Sequence, residues 1–240
     1  MSVKNLIKSI TPKFLLEFYY DFKNKRKTYY GHHELDKKLK KYLNYEKGFF
    51  VELGANDGIK QSNTFYFEKN LGWNGVLIEP IKTKYLKCLK YRSSKNYFYN
   101  NACVGINFKR DKIKMIYSDL MSSIDDKEII NKIDAKKHAK DGEKYLLKNE
   151  KIEEFWVSTK TLNDILQEVN TPKLIDFLSL DVEGSELEVL NGIDFKIYNF
   201  KFILVESRND DEIIKYLSNK NYNFLEKISK RDLIFKYNYL

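Results

Sequence analysis

The chain has 240 residues, of which 42% are hydrophobic, and a formal net charge of +9. This length and apolar content suffice for one substantial core, so we expect a single catalytic domain and no second one. No apolar run approaches the ~20 residues that cross a bilayer, and Cys88 and Cys103 have neither the spacing of a disulfide framework nor that of structural zinc, which together predict a soluble protein of the cytoplasm.

The excess of positive charge lies in residues 1–45, which hold 11 Lys or Arg against 4 Asp or Glu. Apolar residues recur at every fourth position from Leu6 to Phe22, with lysines beside them. This pattern predicts a basic amphipathic helical segment. It either contacts a membrane surface or a partner protein, or packs its apolar face on the domain. The rest of the chain is nearly neutral, which argues against a nucleic acid as partner or acceptor.

After a further helix over residues 35–43, strands and helices are predicted to alternate. The first half contains strands over residues 49–53, 75–78 and 97–104, with helices over residues 62–71 and 83–91. Residues 107–170 are polar and irregular, with helices near residues 125–137 and 162–169, and we interpret them as an acceptor-binding insert. The second half contains strands over residues 175–180 and 202–205, helices from residue 185 and over residues 210–219, and a closing pair of strands over residues 222–226 and 232–237.

This alternation predicts an α/β fold of the Rossmann-like kind, covering residues 46–240. Strands joined by helical crossovers form a mostly parallel sheet with helices on both faces. The closing pair reads as a hairpin, so the last strand is expected to be antiparallel.

The turn after the first strand and the end of the second strand predict a nucleotide-type binding edge. Gly54 and Gly58 leave space for a ligand, and Glu79 is well placed to accept hydrogen bonds from both hydroxyls of a ribose. The dinucleotide fingerprint G-x-G-x-x-G is absent, whereas Glu52 and Asp57 would attract the ammonium and sulfonium of S-adenosylmethionine. The turn therefore favours S-adenosylmethionine over NAD. The alternative is a glycine loop that only joins a strand to a helix.

Further donor contacts are expected beside this edge. Ser62 and Asn63 could bind the donor's carboxylate, although Ser62 could equally be a helix cap. Ala102 and Cys103 fall where the adenine would lie, with Ile81 as an apolar contact. The complete predicted donor-binding set is Glu52, Gly54, Ala55, Asn56, Asp57, Gly58, Ser62, Asn63, Glu79, Pro80, Ile81, Ala102, Cys103 and Asp181.

Two long motifs carry a family resemblance. One is the run over residues 49–80, and the other is IDFLSLDVEGSELEVL at residues 175–190. With a lead-in GHHELD at residues 31–36 and a closing RDLIF at residues 231–235, the chain resembles the FkbM-type methyltransferases over about residues 30–240. The resemblance implies a class I methyltransferase fold, S-adenosylmethionine as donor, and a hydroxyl acceptor, commonly on a sugar or a natural product.

The segment Asp181-Val182-Glu183-Gly184 is the predicted centre of catalysis. Asp181 and Glu183 directly follow a buried strand, and burying two acids is costly unless they have partners or a task. A hydroxyl must lose its proton as it is methylated, and a carboxylate with a raised pKa can accept that proton. We assign Asp181 as the base or acceptor-orienting group, with Glu183 and Glu206 as alternatives. Asp181 and Glu183 could instead only anchor the donor or cap the next helix.

No metal site is predicted, although carboxylates at the strand ends could hold Mg²⁺. His32, His33 and His138 lack the spacing of metal ligands, and such residues more often lie on the surface. His32 or His33 could still reach the acceptor site if the lead-in folds over the cleft.

The sequence thus predicts an O-methyltransferase that acts on a hydroxyl, most readily that of a sugar in a glycan or glycoconjugate. Two alternatives remain open at this point. One is methylation of RNA or protein, for which a basic and aromatic groove around the insert would be the distinguishing feature. The other is a non-catalytic scaffold that binds the donor and docks to a membrane or a glycosyltransferase through residues 1–45. The sequence does not indicate the oligomeric state.

Overall fold

The computed structural model describes residues 27–126, 129, 134–147 and 149–239. The predicted amphipathic repeat at residues 6–22 lies outside the described residues. No helix in these ranges is long and apolar enough to span a membrane.

The strands form two sheets. In chain order they are β1 (Phe49–Leu53), β2 (Asn74–Ile78), β3 (Tyr97–Tyr99), β4 (Ala102–Cys103), β5 (Lys112–Tyr117), β6 (Ser123–Ile124), β7 (Glu153–Lys160), β8 (Leu174–Leu180), β9 (Asn199–Glu206), β10 (Tyr222–Lys227) and β11 (Asp232–Tyr237). The large sheet has the order β10-β11-β9-β8-β1-β2-β3. All its pairs are parallel except those that β11 makes with β9 and β10. The expected α/β fold with an antiparallel last strand is confirmed.

Helices cover both faces of the large sheet. They are α1 (Leu35–Leu43), α2 (Phe65–Leu71), α3 (Lys82–Tyr91), α5 (Leu162–Val169), α6 (Glu186–Asn191) and α7 (Asp210–Ser218), whereas α4 (Ala135–Gly142) packs against β5 and β6. Successive residues of β1 point to opposite faces of the sheet. Accordingly Phe50 packs in the cluster that includes α1, α2 and α3, whereas Val51 packs in the cluster that includes α5, α6 and α7. Both faces of the central strand are buried, which explains why four of its five residues are apolar.

The lead-in to the sheet belongs to the packed domain. Tyr30, Leu39 and Leu43 are buried in the same cluster as Phe50. The backbone N–H of Tyr30 donates to Asp36 Oδ2 at 2.6 Å. The predicted boundary between residues 45 and 46 therefore separates segments that share one core layer.

The region expected to be irregular contains the second sheet, whose order is β4-β7-β5-β6. In β5 the alternating residues Ile113 and Met115 are buried, while Lys112 and Lys114 lie on the other face. This two-residue period is typical of a strand with one buried face, and the abundance of lysine obscured it. The predicted strand over residues 97–104 is divided accordingly, because β3 joins the large sheet and β4 joins the small one.

The helix expected over residues 125–137 has different bounds. Asp125 and Asp126 are not helical, and α4 begins at Ala135. Asp134 sets this start, because its side chain accepts hydrogen bonds from the backbone N–H groups of Lys136 and Lys137 at 3.1 Å. A side-chain cap of this kind satisfies N–H groups that have no partner within the helix.

A buried guanidinium joins α2, α3 and the turn after β1. Arg92 donates to Glu52 Oε2 at 3.1 Å and to Glu68 Oε2 at 2.8 Å, and all three side chains are more than 90% buried. Arg92 also donates to the carbonyl oxygen of Gly58 and to Thr64 Oγ1. Buried charges persist in a fold when their hydrogen-bonding capacity is satisfied in this way.

Replacement of this guanidinium should destabilise the fold strongly. Arg92→Met leaves two buried carboxylates without their cation, and removal of one partner from a buried ion pair costs about 3–5 kcal/mol. Urea unfolding followed by circular dichroism measures the change. Lys37→Met is the matched control, because it removes an exposed pair with Glu34 and should leave the midpoint unchanged. Equal midpoints for Arg92→Met and the wild type would contradict a structural role of the network.

Candidate active site

A cavity of about 410 Å³ opens at the carboxyl ends of the central strands. The pairing register aligns Leu53 with Ile78 and with Leu180, so β1, β2 and β8 end at the same level. The residues that follow these ends therefore meet at one edge of the sheet, which is where open α/β sheets bind ligands.

The cavity collects many of the residues that the sequence singled out. Its lining includes Gly54, Asn56, Glu79, Pro80, Ile81, Ala102, Cys103, Asp181, Glu183 and Glu206. These residues come from the ends of separate strands, from residue 54 to residue 206 of the chain. The fold thus brings the predicted ribose-binding acid and the predicted catalytic acids to a single cavity.

Six other predicted donor contacts are not on this lining: Glu52, Ala55, Asp57, Gly58, Ser62 and Asn63. The expectation that Glu52 attracts the donor is corrected, because its carboxylate is buried and accepts from Ser62 Oγ, from the Asn63 N–H and from Arg92. These same bonds place Ser62 and Asn63 in the interior.

The remaining three residues shape the turn rather than the cavity wall. Asp57 Oδ1 accepts from the backbone N–H groups of Ile59 and Lys60, at 3.0 and 2.7 Å. Ala55 is buried, and a Cβ atom at Gly58 would lie 2.9 Å from Arg92 Cγ. Their roles in the turn depend on contacts within the fold, so the sequence alone could not separate them from ligand contacts.

Glu79 is held in place by the main chain. Its Oε1 accepts from the Ile81 N–H and its Oε2 from the Asn56 N–H, both at 2.8 Å. Burial raises the pKa of Glu79 to about 7, and the backbone hydrogen bonds only partly oppose this rise. Each carboxylate oxygen keeps a further lone pair. The nearby Asn56 Oδ1 is buried and accepts no hydrogen bond from the described part of the chain.

Three carboxylates lie together at the other end of the cavity. One oxygen each of Asp181, Glu183 and Glu206 falls within 4.8 Å of the other two. Enclosure by the protein, followed by the carboxylates of Glu206 and Glu183, raises the pKa of Asp181 well above its ordinary value. Since Asp181 stays accessible through the cavity, water offsets part of the effect of enclosure, and we give repulsion between the acids more weight.

The loop that carries Asp181 and Glu183 is held by Glu186. Glu186 Oε1 accepts from the N–H groups of Val182 and Gly184, at 3.2 and 2.9 Å. Burial raises the pKa of Glu186 to about 7. Glu183 has a left-handed conformation, with φ at 56°. A residue other than glycine held in this region indicates that its surroundings impose the conformation.

His138 contacts Glu183, which corrects the interpretation of this histidine as a surface residue. It is buried on α4, and its Nε2 lies 3.0 Å from Glu183 Oε2. Arg208 Nη2 donates to the same oxygen at 2.5 Å. The sequence signal that could have found this contact is the position of His138 on the apolar face of α4, beside Ala135 and Ala139.

Cations already lie beside the acidic group. Arg208 pairs with Glu183, and Arg231 Nη1 lies 3.5 Å from Glu206 Oε1. The three carboxylates are close enough to share a divalent ion. The arginines supply part of the positive charge that such an ion would provide, so the arrangement does not require one.

The lead-in reaches the cavity as well. His32 and His33 line it, and their rings stack with centroids 3.9 Å apart. His33 and Glu34 both have left-handed φ values, 51° and 56°. This tight turn places the two histidines at the cavity. The sequence allowed this position for them if the lead-in folds over the cleft.

A family model described as the methyltransferase FkbM domain matches residues 52–224. No curated protein matches the chain. Among solved structures, the chain is similar to a precorrin-6y C5,15-methyltransferase from Geobacter metallireducens GS-15, with 8% identity, TM-score 0.44, and 89% of this chain and 92% of that one covered.

Two further solved structures are similar to the chain at comparably low sequence identity. One is a SAM-dependent methyltransferase from Aquifex aeolicus, with 10% identity, TM-score 0.42, and 84% of this chain and 87% of that one covered. The other is a SAM-dependent methyltransferase from Geobacter sulfurreducens in complex with S-adenosyl-L-homocysteine. It has 10% identity and TM-score 0.33, and 84% of this chain and 68% of that one are covered.

The repulsion among the acids can be measured directly. Glu206→Gln removes a negative charge beside Asp181, so the pKa of Asp181 should move down toward its ordinary value. Carbon-detected NMR titration of labelled aspartate carboxyl groups reports this shift. Glu168→Gln, in an exposed pair with Lys160, is the control and should leave the pKa of Asp181 unchanged. An identical pKa for Asp181 in the Glu206 variant would show that the two acids do not interact.

Proposed function

Because the chain belongs to the FkbM methyltransferase family and is an S-adenosylmethionine-dependent methyltransferase, we propose that it methylates a hydroxyl oxygen of a sugar in a glycan or glycoconjugate. The observation that carries this proposal is the position of Asp181. Its carboxylate faces the cavity that Glu79 also lines, and its pKa is raised. A hydroxyl needs such a proton acceptor, whereas an amine or thiolate nucleophile depends on one far less.

The residues at the end of β2 fit the donor's ribose. Glu79 is fixed by two backbone N–H groups and keeps one free lone pair on each oxygen, which matches a pair of neighbouring hydroxyls. Ala102, Cys103 and Ile81 offer an apolar wall next to it for the adenine. Asn56 Oδ1 adds an acceptor that lacks an internal partner within the described residues. The bound donor supplies an electrophilic methyl carbon.

At the opposite end, the acidic group positions and deprotonates the acceptor. The hydroxyl hydrogen bonds to Asp181, which takes its proton as the oxygen forms a bond to carbon and the carbon–sulfur bond breaks. The products are a methyl ether and S-adenosylhomocysteine, with the proton on Asp181. Glu206 raises the proton affinity of Asp181, while Arg208 and His138 hold Glu183. Positioning of this kind supplies much of the rate in a displacement reaction.

The proposal is tested with a panel of acceptors and labelled donor. Free sugars, sugar phosphates, nucleotide sugars, oligosaccharides, RNA and unfolded protein are incubated with the enzyme, and products are identified by mass. A mass gain of one methylene on a sugar hydroxyl is expected. Methylation of RNA or protein alone would contradict the proposal. Donor binding without turnover on any acceptor would indicate a scaffold.

Glu79→Gln should weaken donor binding and change its pH dependence. Ionised Glu79 accepts from both ribose hydroxyls, and hydrogen bonds to a charged group contribute about 1.5–3 kcal/mol each. Since the pKa of Glu79 is about 7, wild-type affinity should fall as the pH drops below 7, because protonation removes the charge. Calorimetry with S-adenosylhomocysteine between pH 6 and 8 measures both effects. The variant should lack this component of the pH dependence, and wild-type behaviour in the variant would contradict the assignment.

Asp181→Asn should lower turnover by about 10²–10⁴ while donor affinity changes little, because it removes a proton acceptor and keeps the side-chain shape. Turnover at saturating donor and acceptor is compared with the calorimetric affinity of the same variant. Weak donor binding, with turnover restored by excess donor, would instead assign Asp181 to donor anchoring. Near-normal turnover would move the catalytic role to Glu183 or Glu206.

A further inference from the structure

Three exposed cations line the same cavity as the acidic group. We call Lys144, Lys230 and Arg231 the basic rim. All three line the cavity and are exposed to solvent. They come from two unconnected parts of the fold: Lys144 lies in the 3₁₀ turn Glu143–Tyr145 that follows α4, and Lys230 and Arg231 lie in the turn between β10 and β11.

The basic rim has little internal compensation. Within the described ranges, no acidic side chain forms an ion pair with Lys144 or Lys230, and Arg231 reaches Glu206 only at 3.5 Å. Other lysines of the chain are paired: Lys227 with Asp210, Lys160 with Glu168 and Lys41 with Glu226. An unpaired cation that lines a cavity is available to a ligand.

The same cavity also carries the opposite charge, on Asp181, Glu183 and Glu206. The side chains of Glu183 and Glu206 are 18% and 17% exposed, whereas that of Arg231 is 48% exposed. An anionic group on the acceptor would be repelled by these carboxylates and attracted to the basic rim. The separation of charge within the lining therefore orients an acceptor that is charged at one end, with a neutral hydroxyl at Asp181.

We propose that the acceptor sugar carries a phosphate group, which the basic rim binds while the hydroxyl to be methylated faces Asp181. This inference rests on the proposed function, because it names the substrate class of the same site. A phosphate has about −1.5 to −2 charges at neutral pH and three acceptor oxygens. Cations that approach from two elements can contact several of these oxygens at once, and the arginine fork matches phosphate geometry.

The binding step is tested separately from catalysis, with pyrophosphate as the probe and malonate as a dicarboxylate control. Calorimetry on the full chain saturated with S-adenosylhomocysteine should show that pyrophosphate binds and that affinity falls as salt is raised. Lys230→Gln and Lys144→Gln should each weaken pyrophosphate binding about threefold, and the double variant about tenfold, as expected for exposed charge contacts. Lys196→Gln is the matched control, because Lys196 is exposed and precedes β9, at the opposite end of the strands from the cavity.

Several results would overturn the inference. The first is that pyrophosphate does not bind to the wild type. The second is that malonate binds with the same affinity as pyrophosphate. The third is that Lys196→Gln weakens pyrophosphate binding as much as Lys230→Gln does. In the acceptor panel, phosphorylated sugars should be methylated with at least about tenfold higher kcat/KM than their neutral parents, which corresponds to about 1.4 kcal/mol. A preference for the neutral sugars would overturn the phosphate inference while the proposed function stands. Pyrophosphate binding without methylation of any sugar would overturn the proposed function and leave the anion site in place.

Discussion

Gly54 and Asp181 approach each other so closely where β1 and β8 end that a Cβ atom at position 54 would lie 1.9 Å from the Asp181 carbonyl oxygen. Gly54 also has a left-handed φ of 74°, which residues with side chains rarely adopt. This contact lets β1 and β8 end side by side. Strand β2 ends at the same level, and Glu79 is the first residue after it. The distance between Glu79 and Asp181 is therefore set by sheet geometry. A larger residue at position 54 would separate the two halves of the site.

Carboxylates near the cavity fall into groups with different electrostatic environments. Glu52 faces a guanidinium in the interior and contributes to the fold. Glu79 forms no ion pair within the described part of the chain, and its burial raises its pKa to about 7 although backbone N–H groups donate to it. Asp181 is enclosed beside Glu206 and Glu183, and its pKa rises well above the ordinary value. Carboxylates thus differ in charge state and accessibility between these three places, because their neighbours differ, and this difference underlies the separate roles that we propose for Glu79 and Asp181.

The insert contributes to the site through His138. Its contact with Glu183 connects α4 to the loop after β8, which carries Asp181 and Glu183. Lys144 of the basic rim follows α4 closely in the chain. A single segment therefore contacts the loop after β8 through His138 and lines the cavity through Lys144. This arrangement gives a physical reason why acceptor binding and the position of the acids would change together if the segment moved.

The sequence by itself determined the α/β fold, the family, and the ends of β1, β2 and β8, because long apolar strands and the residues after them are local features. It also placed Gly54, Glu79 and Asp181 at these ends. The tertiary structure decided which acids face the cavity. Glu52 and Glu79 both belong to apolar strand segments, yet Arg92, 40 residues after Glu52 in the chain, takes Glu52 into the interior. The second sheet, the contact of His138 with Glu183 and the basic rim likewise depend on packing between distant segments. Charge neutralisation and burial are properties of neighbours in space, and the order of residues along the chain does not specify them.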